Sequence, residues 1–343
     1  MQYQNVELFN TEEVVPFEGG VILARFPEEA RADMKSRASW MAYASIGCEV
    51  RFVCEAEIFW ITLGAAAQNV DVYVMLGDYT LDKFTIPAGQ KKTIQYEKKD
   101  VLAGMDPEVM EPFDERFSHL VWRFYFNSEG AGVFYSCRAL NGTLRPPYEK
   151  ELPTKTMLAY GSSITHGCWA IDTRNSYIQQ VARRLNLDVL NKGMAGACRL
   201  EDSTMEYLIA QDSWDLAFLE LGVNVLNSYS VEEFRKRAEH LAVGMCKKKP
   251  NNPVYLTFCY YGRGNYTQKS DHSEHAKRSV EYEKVLSGIR EKFGLSNLYY
   301  IEGTKIMDSG SYLCYDMVHP SDYGHIRMGE NLARIITESG AAF

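Results

Sequence analysis

The stretch Leu158–Cys168 reads LAYGSSITHGC, and in it an apolar run gives way to small polar residues. An apolar segment followed by Gly-Ser-Ser predicts a buried strand that ends in a tight turn. The turn carries two adjacent serines, Ser162 and Ser163, and a histidine, His166. Taken alone it is an ordinary glycine-containing turn, so the rest of the sequence must decide whether it presents a nucleophile and which serine that is.

The chain around and after this turn alternates between short apolar segments and longer helical ones. The apolar segments are MLAY, DVLN, DLAFLEL, VYLTFC and LYYIEG, and the helical ones include SYIQQVARRL, VEEFRKRAEHLAVGM and RSVEYEKVLSGIREKF. Strand–helix alternation predicts an α/β fold in which helices cover a parallel sheet. Functional side chains in such sheets lie beyond the carboxyl ends of the strands, where the Gly-Ser-Ser turn also lies.

The first part of the chain has a different period. Apolar residues alternate with other residues in NVDVYVML, LVWRFYF and EVRFVCEAEIFWITL, which predicts antiparallel strands and an all-β sandwich. The proline-containing segment NGTLRPPYEKELPTKT then predicts a linker. We therefore predict a sandwich domain over residues 1–145, a linker over 146–155 and a catalytic domain over 156–343.

Composition and charge exclude several classes of protein. Of the 343 residues 46% are hydrophobic and 24% are charged, as in globular proteins, and the net charge of −8 argues against a nucleic-acid partner. No apolar run approaches the length of a membrane span, and the N-terminus shows no secretory signal. The eight cysteines form no C-x-x-C pair, so we expect reduced cysteines, no zinc site and a cytoplasmic protein.

Four separated pieces of the sequence carry residues with chemical potential at the ends of strands or in loops. They are Gly161–Gly167, the segment NKGMAG with Gly193 and Gly196, the segment LELGVN with Asn224, and the segment DMVHPSDYGH with Asp316 and His319. In this order they resemble the four sequence blocks of the SGNH, or GDSL, hydrolase family of esterases and acylhydrolases. The resemblance covers about Thr154–Phe343.

The resemblance implies a role for each matching residue. Gly-Asp-Ser-Leu of the family falls on Gly161–Ile164, so the nucleophile is expected at Ser163 rather than Ser162. Asp316 and His319 match its Asp-x-x-His pair, and Gly196 and Asn224 match the residues of its second and third blocks. It also implies a three-layer α/β/α fold that needs no metal or cofactor. Family members whose first block reads Gly-Ser-Ser-Ile-Thr often carry an N-terminal β-sandwich, so we expect the first domain to be jelly-roll-like.

The sequence departs from the family pattern at two positions. Ser162 stands where the family has an aspartate, and Val225 stands where an aspartate usually follows the asparagine. Neither departure removes a reacting group, although the first is expected to loosen the nucleophile turn.

The chemistry is consistent with these roles. A serine hydroxyl needs a base within hydrogen-bond reach, so His319 would take the proton of Ser163 while Asp316 orients and stabilises the imidazole. The backbone N–H groups of Ser163 and Gly196 and the side-chain amide of Asn224 would donate hydrogen bonds to the oxyanion.

Other interpretations of these residues stay open at this stage. Thr165 occupies the position of the second glycine of Gly-x-Ser-x-Gly, which disfavours an α/β-hydrolase elbow. A plain turn residue is the lesser alternative for Asn224, and we expect His325 to cap or pack the start of the last helix. Further candidates for substrate contact are His166, Trp169, Tyr260 and Tyr261. The loop 259–275 is a candidate for a lid over the site. His272 and His275 are spaced like helical metal ligands, but a metal site there is disfavoured.

We interpret the chain as a serine esterase that removes short acyl groups, acetyl above all, from carbohydrate esters such as acetylated xylo-oligosaccharides. Two alternatives are a lipid-type esterase or thioesterase that prefers longer acyl groups, and a non-catalytic carbohydrate-binding protein. We also expect a homo-oligomer, because closed symmetric assemblies are common among soluble proteins.

Overall fold

The computed structural model describes residues 1–97, 116–262 and 274–343. The chain packs as two compact units, one formed by Met1–Glu28 with Ala42–Thr154 and the other by Glu29–Met41 with Lys155–Phe343. The boundaries at 145 and 156 stay a prediction. No sequence pattern indicated that Glu29–Met41 packs with the second unit.

The first unit is built from antiparallel strands. The strands are β1 Gln2–Tyr3, β2 Val6–Phe9, β3 Glu13–Phe17, β4 Gly20–Ala24, β5 Glu49–Cys54, β6 Ile58–Ala65, β7 Val70–Leu76, β8 Tyr79–Ile86, β9 Lys91–Glu97, β10 Val121–Phe126, β11 Gly132–Leu140 and β12 Leu144–Arg145. One sheet has a six-strand path in the order β1-β2-β5-β10-β7-β8, with β12 also paired to β5, and the second sheet has the order β3-β4-β11-β6-β9.

The two antiparallel sheets enclose one hydrophobic core. Alternate residues of β7, from Val70 to Leu76, point into this core, as the period of two predicts. Phe52 of one sheet meets Phe59 of the other edge to face, with ring centroids 5.1 Å apart. The predicted β-sandwich is therefore confirmed, while its jelly-roll connectivity stays a prediction.

The second unit contains a five-stranded parallel sheet with covering helices. Its strands are β13 Lys155–Gly161, β14 Leu187–Gly193, β15 Leu216–Glu220, β16 Val254–Thr257 and β17 Leu298–Tyr300. Its helices are α1 Arg37–Met41, α2 Ser163–His166, α3 Tyr177–Leu185, α4 Asp202–Ala210, α5 Val231–Lys248, α6 Glu274–Phe293, α7 Gly303–Ile306 and α8 Asp322–Glu338.

The sheet order is β14-β13-β15-β16-β17, and all its pairings are parallel. On one face α3 and α8 pack into a core with Met157 and Ala159 of β13. On the other face α5 packs against β16 and contacts α4 and α6. The predicted three-layer α/β/α domain is therefore confirmed. Because the strand order reverses beside β13, the end of that strand opens into the crevice where such sheets bind ligands.

The excursion Glu29–Met41 is fastened to the second unit near α4. The backbone N–H of Ser203 donates to the Asp33 carboxylate at 3.1 Å, and the Ser203 hydroxyl donates to the backbone oxygen of Ala30 at 2.9 Å. This attachment brings Arg37 of α1 to the loop that follows β14, where it bears on the site described next.

Candidate active site

The turn Gly161–Ser163, called the nucleophile turn because it carries the predicted nucleophile, joins the end of β13 to the short helix α2. Ser162 caps this helix, because its hydroxyl accepts a hydrogen bond from the backbone N–H of Ile164 at 3.2 Å. Gly161 is required on steric grounds, since a Cβ there would lie 2.4 Å from the Thr165 hydroxyl and 2.7 Å from the Glu220 carboxylate. Ser163 is the first residue of the helix and is half-buried. The turn therefore presents Ser163 to the surface while it buries Ser162.

A line of hydrogen bonds runs from Ser163 to the loop before α8. The Oγ atom of Ser163 lies 2.7 Å from Nε2 of His319, and Nδ1 of His319 lies 2.7 Å from Oδ2 of Asp316. Because the carboxylate can only accept, Nδ1 carries the proton and the Nε2 lone pair faces the serine hydroxyl. The structure thus brings together the three residues that the sequence nominated as nucleophile, base and orienting acid.

Asp316 is held in place by its own loop. Its Oδ1 atom accepts backbone hydrogen bonds from Val318 and His319, each at 3.0 Å. Burial acts to raise the pKa of this carboxyl, but the hydrogen bonds from His319 and Val318 outweigh it and lower the pKa below its ordinary value. Asp316 therefore stays ionised beside His319. Met317, between them, has a φ of +59°, a left-handed conformation imposed by the tight loop.

The loops after β14 and β15 are tied to the nucleophile turn. The backbone N–H of Met194 donates to the carbonyl of Gly161 at 2.8 Å, and the turn from Met194 to Ala197 holds Gly196 at a φ of +66°. The backbone N–H of Cys198 donates to Oδ1 of Asn224 at 3.0 Å. Since only the amide oxygen can accept that bond, the Nδ2 atom of Asn224 remains as the donor of its side chain.

Arg37 fixes the position of the Gly196 loop. Its Nε atom donates to the carbonyl of Ala195 at 2.5 Å. A Cβ at position 196 would lie 3.1 Å from the same nitrogen, so glycine leaves room for this side chain. A cation from the excursion thus lies beside the loop that carries a predicted oxyanion donor.

A buried carboxylate lies directly beneath the nucleophile turn. Glu220 ends β15 and is only 1% exposed, and its Oε2 atom accepts hydrogen bonds from the backbone N–H and the hydroxyl of Ser162, both at 2.7 Å. The Thr165 hydroxyl donates to the same oxygen at 2.9 Å. Burial raises the pKa of Glu220 to about 7, although these hydrogen bonds act to lower it.

The four candidates for substrate contact lie in different surroundings. Trp169 is 46% exposed, and its ring lies 6.5 Å from that of His319 and 5.2 Å, edge to face, from that of Tyr315, which is 84% exposed. His166 and Tyr260 are buried, the former with Nδ1 3.1 Å from the carbonyl of Gly193 and the latter in the core beside α3. Tyr261 is half-buried. Substrate contact by these four residues stays a prediction.

His325 lies in the first turn of α8 and is buried. Its Nε2 atom is 3.0 Å from the carbonyl of Cys168, and its Nδ1 atom is 3.3 Å from the backbone N–H of Tyr177. Burial lowers the pKa of His325 to about 4, so it is neutral near pH 7. It packs the start of the last helix, as the sequence indicated. Most of the predicted lid, with His272 and the side chain of His275, lies outside the described residues.

The site geometry agrees with a comparison of the chain with known families. Residues 154–337, more than half of the chain, match the model of the GDSL-like lipase/acylhydrolase family. The chain belongs to this family. It is therefore a carboxylic ester hydrolase of the GDSL type, as the four sequence blocks predicted. No curated protein sequence matches the chain. No helix among the described residues is long and apolar enough to cross a membrane.

Three solved structures share the fold of this GDSL family member at low sequence identity. The salicylyl-acyltransferase SsfX3 from a tetracycline biosynthetic pathway has a TM-score of 0.80 and 15% identity, over 98% of this chain and 95% of that one. An active-site mutant of a family two carbohydrate esterase from Clostridium thermocellum has a TM-score of 0.60 and 15% identity, over 87% of this chain and 94% of that one. An acetyl xylan esterase from Butyrivibrio proteoclasticus has a TM-score of 0.54 and 12% identity, over 86% of this chain and 91% of that one.

Three residues of the site were missed in the sequence. Glu220 stands in the apolar strand DLAFLEL, where a carboxylate with no neighbouring cation is itself a signal, because buried acids are rare without a function. Tyr315 directly precedes Asp316 and lies just outside the segment DMVHPSDYGH. Arg37 had no signal, because nothing in the sequence connects it with the loop after β14.

Proposed function

We propose that this GDSL hydrolase removes short acyl groups, acetyl above all, from carbohydrate esters through an acyl-Ser163 intermediate. The observation that carries the proposal is the continuous hydrogen-bond line from Ser163 through His319 to Asp316. Such a line activates a serine hydroxyl without a preformed alkoxide.

The proposed reaction has two halves. In the first, Oγ of Ser163 attacks the ester carbonyl carbon while its proton passes to Nε2 of His319, and Asp316 stabilises the resulting imidazolium. The C–O bond to the sugar then breaks, and the imidazolium returns the proton to the leaving sugar oxygen. In the second half water attacks the acyl-enzyme in the same way and releases the carboxylic acid and free Ser163.

The oxyanion of each tetrahedral intermediate needs donors that are already in place. We assign this role to the backbone N–H groups of Ser163 and Gly196 and to Nδ2 of Asn224. The hydrogen bonds that tie their loops together, from Met194 to Gly161 and from Cys198 to Asn224, support the assignment because they make the donors rigid.

A carbohydrate leaving group is supported by the two exposed aromatic rings near His319. Trp169 and Tyr315 offer apolar faces on which the C–H groups of a sugar ring can pack. The fold shared with a carbohydrate esterase and an acetyl xylan esterase is consistent with this substrate class.

The test is hydrolysis of p-nitrophenyl acetate, butyrate and octanoate and of acetylated xylo-oligosaccharides. The wild type is compared with Ser163→Ala and with the matched variant Ser162→Ala. We expect a preference for acetate that Ser163→Ala abolishes and Ser162→Ala only weakens. A preference for octanoate would move the substrate to lipids or thioesters, and a wild type without activity on any substrate would favour a binding protein.

A second candidate is acyl transfer to an acceptor other than water. It is favoured by the similarity to an acyltransferase along nearly the whole chain. The acceptor would attack the same acyl-Ser163 in place of water. Addition of an alcohol or sugar acceptor to the acetate assay separates the two, since transfer gives a new ester whereas hydrolysis gives only acetate.

A further inference from the structure

The nucleophile turn of this GDSL hydrolase lacks the carboxylate that the family has at position 162, yet a carboxylate is present beneath it. We infer that ionised Glu220, on the neighbouring strand β15, is a positioning residue that holds the nucleophile turn and thereby keeps Ser163 in line with His319. This inference rests on the proposed function, because it concerns how the proposed nucleophile is aimed.

The contacts of Glu220 surround the nucleophile from both sides along the chain. Ser162, which donates to Oε2 twice, precedes Ser163, and Thr165, which donates once, lies in the turn of α2 that follows it. Ser162 also accepts from Ile164, so the carboxylate fixes the residue that caps α2. These contacts leave Ser163 little freedom to turn away from His319.

The direction of the hydrogen bonds favours a negative charge on Glu220. Because the single proton of the Thr165 hydroxyl goes to Glu220, the Tyr177 hydroxyl must donate to Thr165, at 2.7 Å. The Tyr260 hydroxyl in turn donates to Tyr177 at 3.1 Å. A chain of O–H groups therefore points at Oε2, together with both donors of Ser162, and charge-assisted acceptors form the stronger bonds.

The second carboxylate oxygen has a different environment. The Oε1 atom of Glu220 is buried and has no hydrogen-bond partner among the described residues. Other titratable groups that act on or with this carboxyl come from α3, from the loop after β14 and from the segment after β16, namely Tyr177, Cys198, Cys259 and Tyr260. Burial raises the pKa of each of them, so all are neutral near pH 7 and the charge of the cluster is that of Glu220.

The protonation state of Glu220 changes near neutral pH. With a pKa raised to about 7, Glu220 is ionised above that pH and protonated below it. Protonation removes the charge that gathers the three donors, so the turn loosens as the pH falls. Activity that depends on the ionised carboxylate should therefore fall as the pH drops through this range.

The test measures p-nitrophenyl acetate hydrolysis and the labelling rate of Ser163 by a fluorophosphonate between pH 5 and 9. Glu220→Gln keeps the shape but loses the charge, and Glu281→Gln makes the same change on a half-exposed side chain of α6 as a control. We expect Glu220→Gln to lower kcat about 10²-fold with little change in KM, since a small misplacement of a reacting group costs about that much. The fall in kcat near pH 7 that reports protonation of Glu220 should be absent from the pH profile of Glu220→Gln.

Thr165→Val provides a second variant that keeps the charge and removes one donor. Because the hydrogen bond from Thr165 lowers the pKa of Glu220, its loss should move the acid limb of the kcat profile to higher pH without abolishing it. A purely structural defect in Glu220→Gln or Thr165→Val would lower kcat but leave the acid side of the pH profile unchanged.

The outcomes separate the two proposals. If Glu220→Gln behaves like Glu281→Gln, or loses activity with an unchanged acid limb, the positioning role is wrong and the serine esterase stands. If the wild type neither hydrolyses the ester nor reacts at Ser163, the proposed function is wrong and the positioning role falls with it.

Discussion

Trp169 packs edge to face against Tyr315, so that the loop after the nucleophile turn meets the loop that carries Asp316 and His319. Trp169 has a φ of +70°, and a bulky residue in this conformation costs free energy that the surrounding structure must offset. The tight turn thus leaves the indole exposed beside His319, which is the arrangement expected of a side chain that contacts a substrate.

This pair gives a first prediction about substrate choice. Trp169→Ala and Tyr315→Ala should each raise KM for an acetylated xylo-oligosaccharide about tenfold, which is about 1.4 kcal/mol of lost binding. Activity on p-nitrophenyl acetate should change little, because that ester has no sugar ring. Phe293→Ala is the control. This exposed aromatic residue ends α6 shortly before the start of β17, so it lies at the opposite edge of the sheet from the carboxyl ends of the strands, where the candidate site lies. Equal effects on both substrates would exclude a sugar-binding role.

The second prediction concerns Asn224 as an oxyanion donor. Asn224→Asp retains an oxygen that accepts from the backbone N–H of Cys198 but replaces the Nδ2 donor with a second oxygen. Loss of one such donor should lower kcat about 10²–10³-fold with KM nearly unchanged. Steady-state kinetics on p-nitrophenyl acetate measure this. Asn227→Asp, a few residues along, controls for the added charge, and an unaffected kcat in Asn224→Asp would mean that Asn224 is a plain turn residue.

A third prediction concerns the orientation of His319. Asp316→Asn removes the charge that faces Nδ1 and favours the wrong imidazole tautomer, so kcat should fall on the order of 10⁴-fold. Asp322→Asn makes the same change on the exposed first turn of α8 and should keep activity. Circular dichroism of both variants checks that the loop change does not unfold the protein. Activity within about tenfold of the wild type in Asp316→Asn would remove this carboxylate from the mechanism.

The fourth prediction concerns stability in acid. His325 has a pKa lowered from 6.5 to about 4, so the unfolded chain binds its proton more readily than the folded one between these values. Its contribution to the free energy of unfolding is therefore present above about pH 6.5 and lost as the pH falls towards 4. The loss is about 3 kcal/mol at most.

Urea unfolding at pH 7 and pH 4 of the wild type and His325→Gln measures this contribution. The wild type should lose more stability than the variant over this interval. Glu220, whose pKa is raised, acts in the opposite sense over an overlapping interval, but it is present in both proteins and cancels in the difference. Equal losses in the two proteins would show that His325 carries no such linkage.

The sequence by itself predicted the architecture and four residues of the candidate site. A period of two in the first half and strand–helix alternation in the second are properties of local chain geometry, so they predicted the sandwich and the parallel sheet. The blocks with Ser163, Asn224, Asp316 and His319 were visible because each follows a strand or lies in a tight loop. Parallel strands present their carboxyl ends at one edge, so these residues were expected to lie together.

The tertiary structure alone decided what lies beneath and beside these residues. Glu220 contacts Ser162 and Thr165 only because β13 and β15 are neighbours in the sheet. The local hydrophobic pattern of a strand does not specify which strands become its neighbours. Arg37 reaches the Gly196 loop because the excursion Glu29–Met41 packs with the second unit. The sequence also nominated His166, which lies just past Ser163, and Tyr260, which lies in an aromatic loop. Both side chains are buried, because burial depends on packing from all sides, which no local pattern specifies.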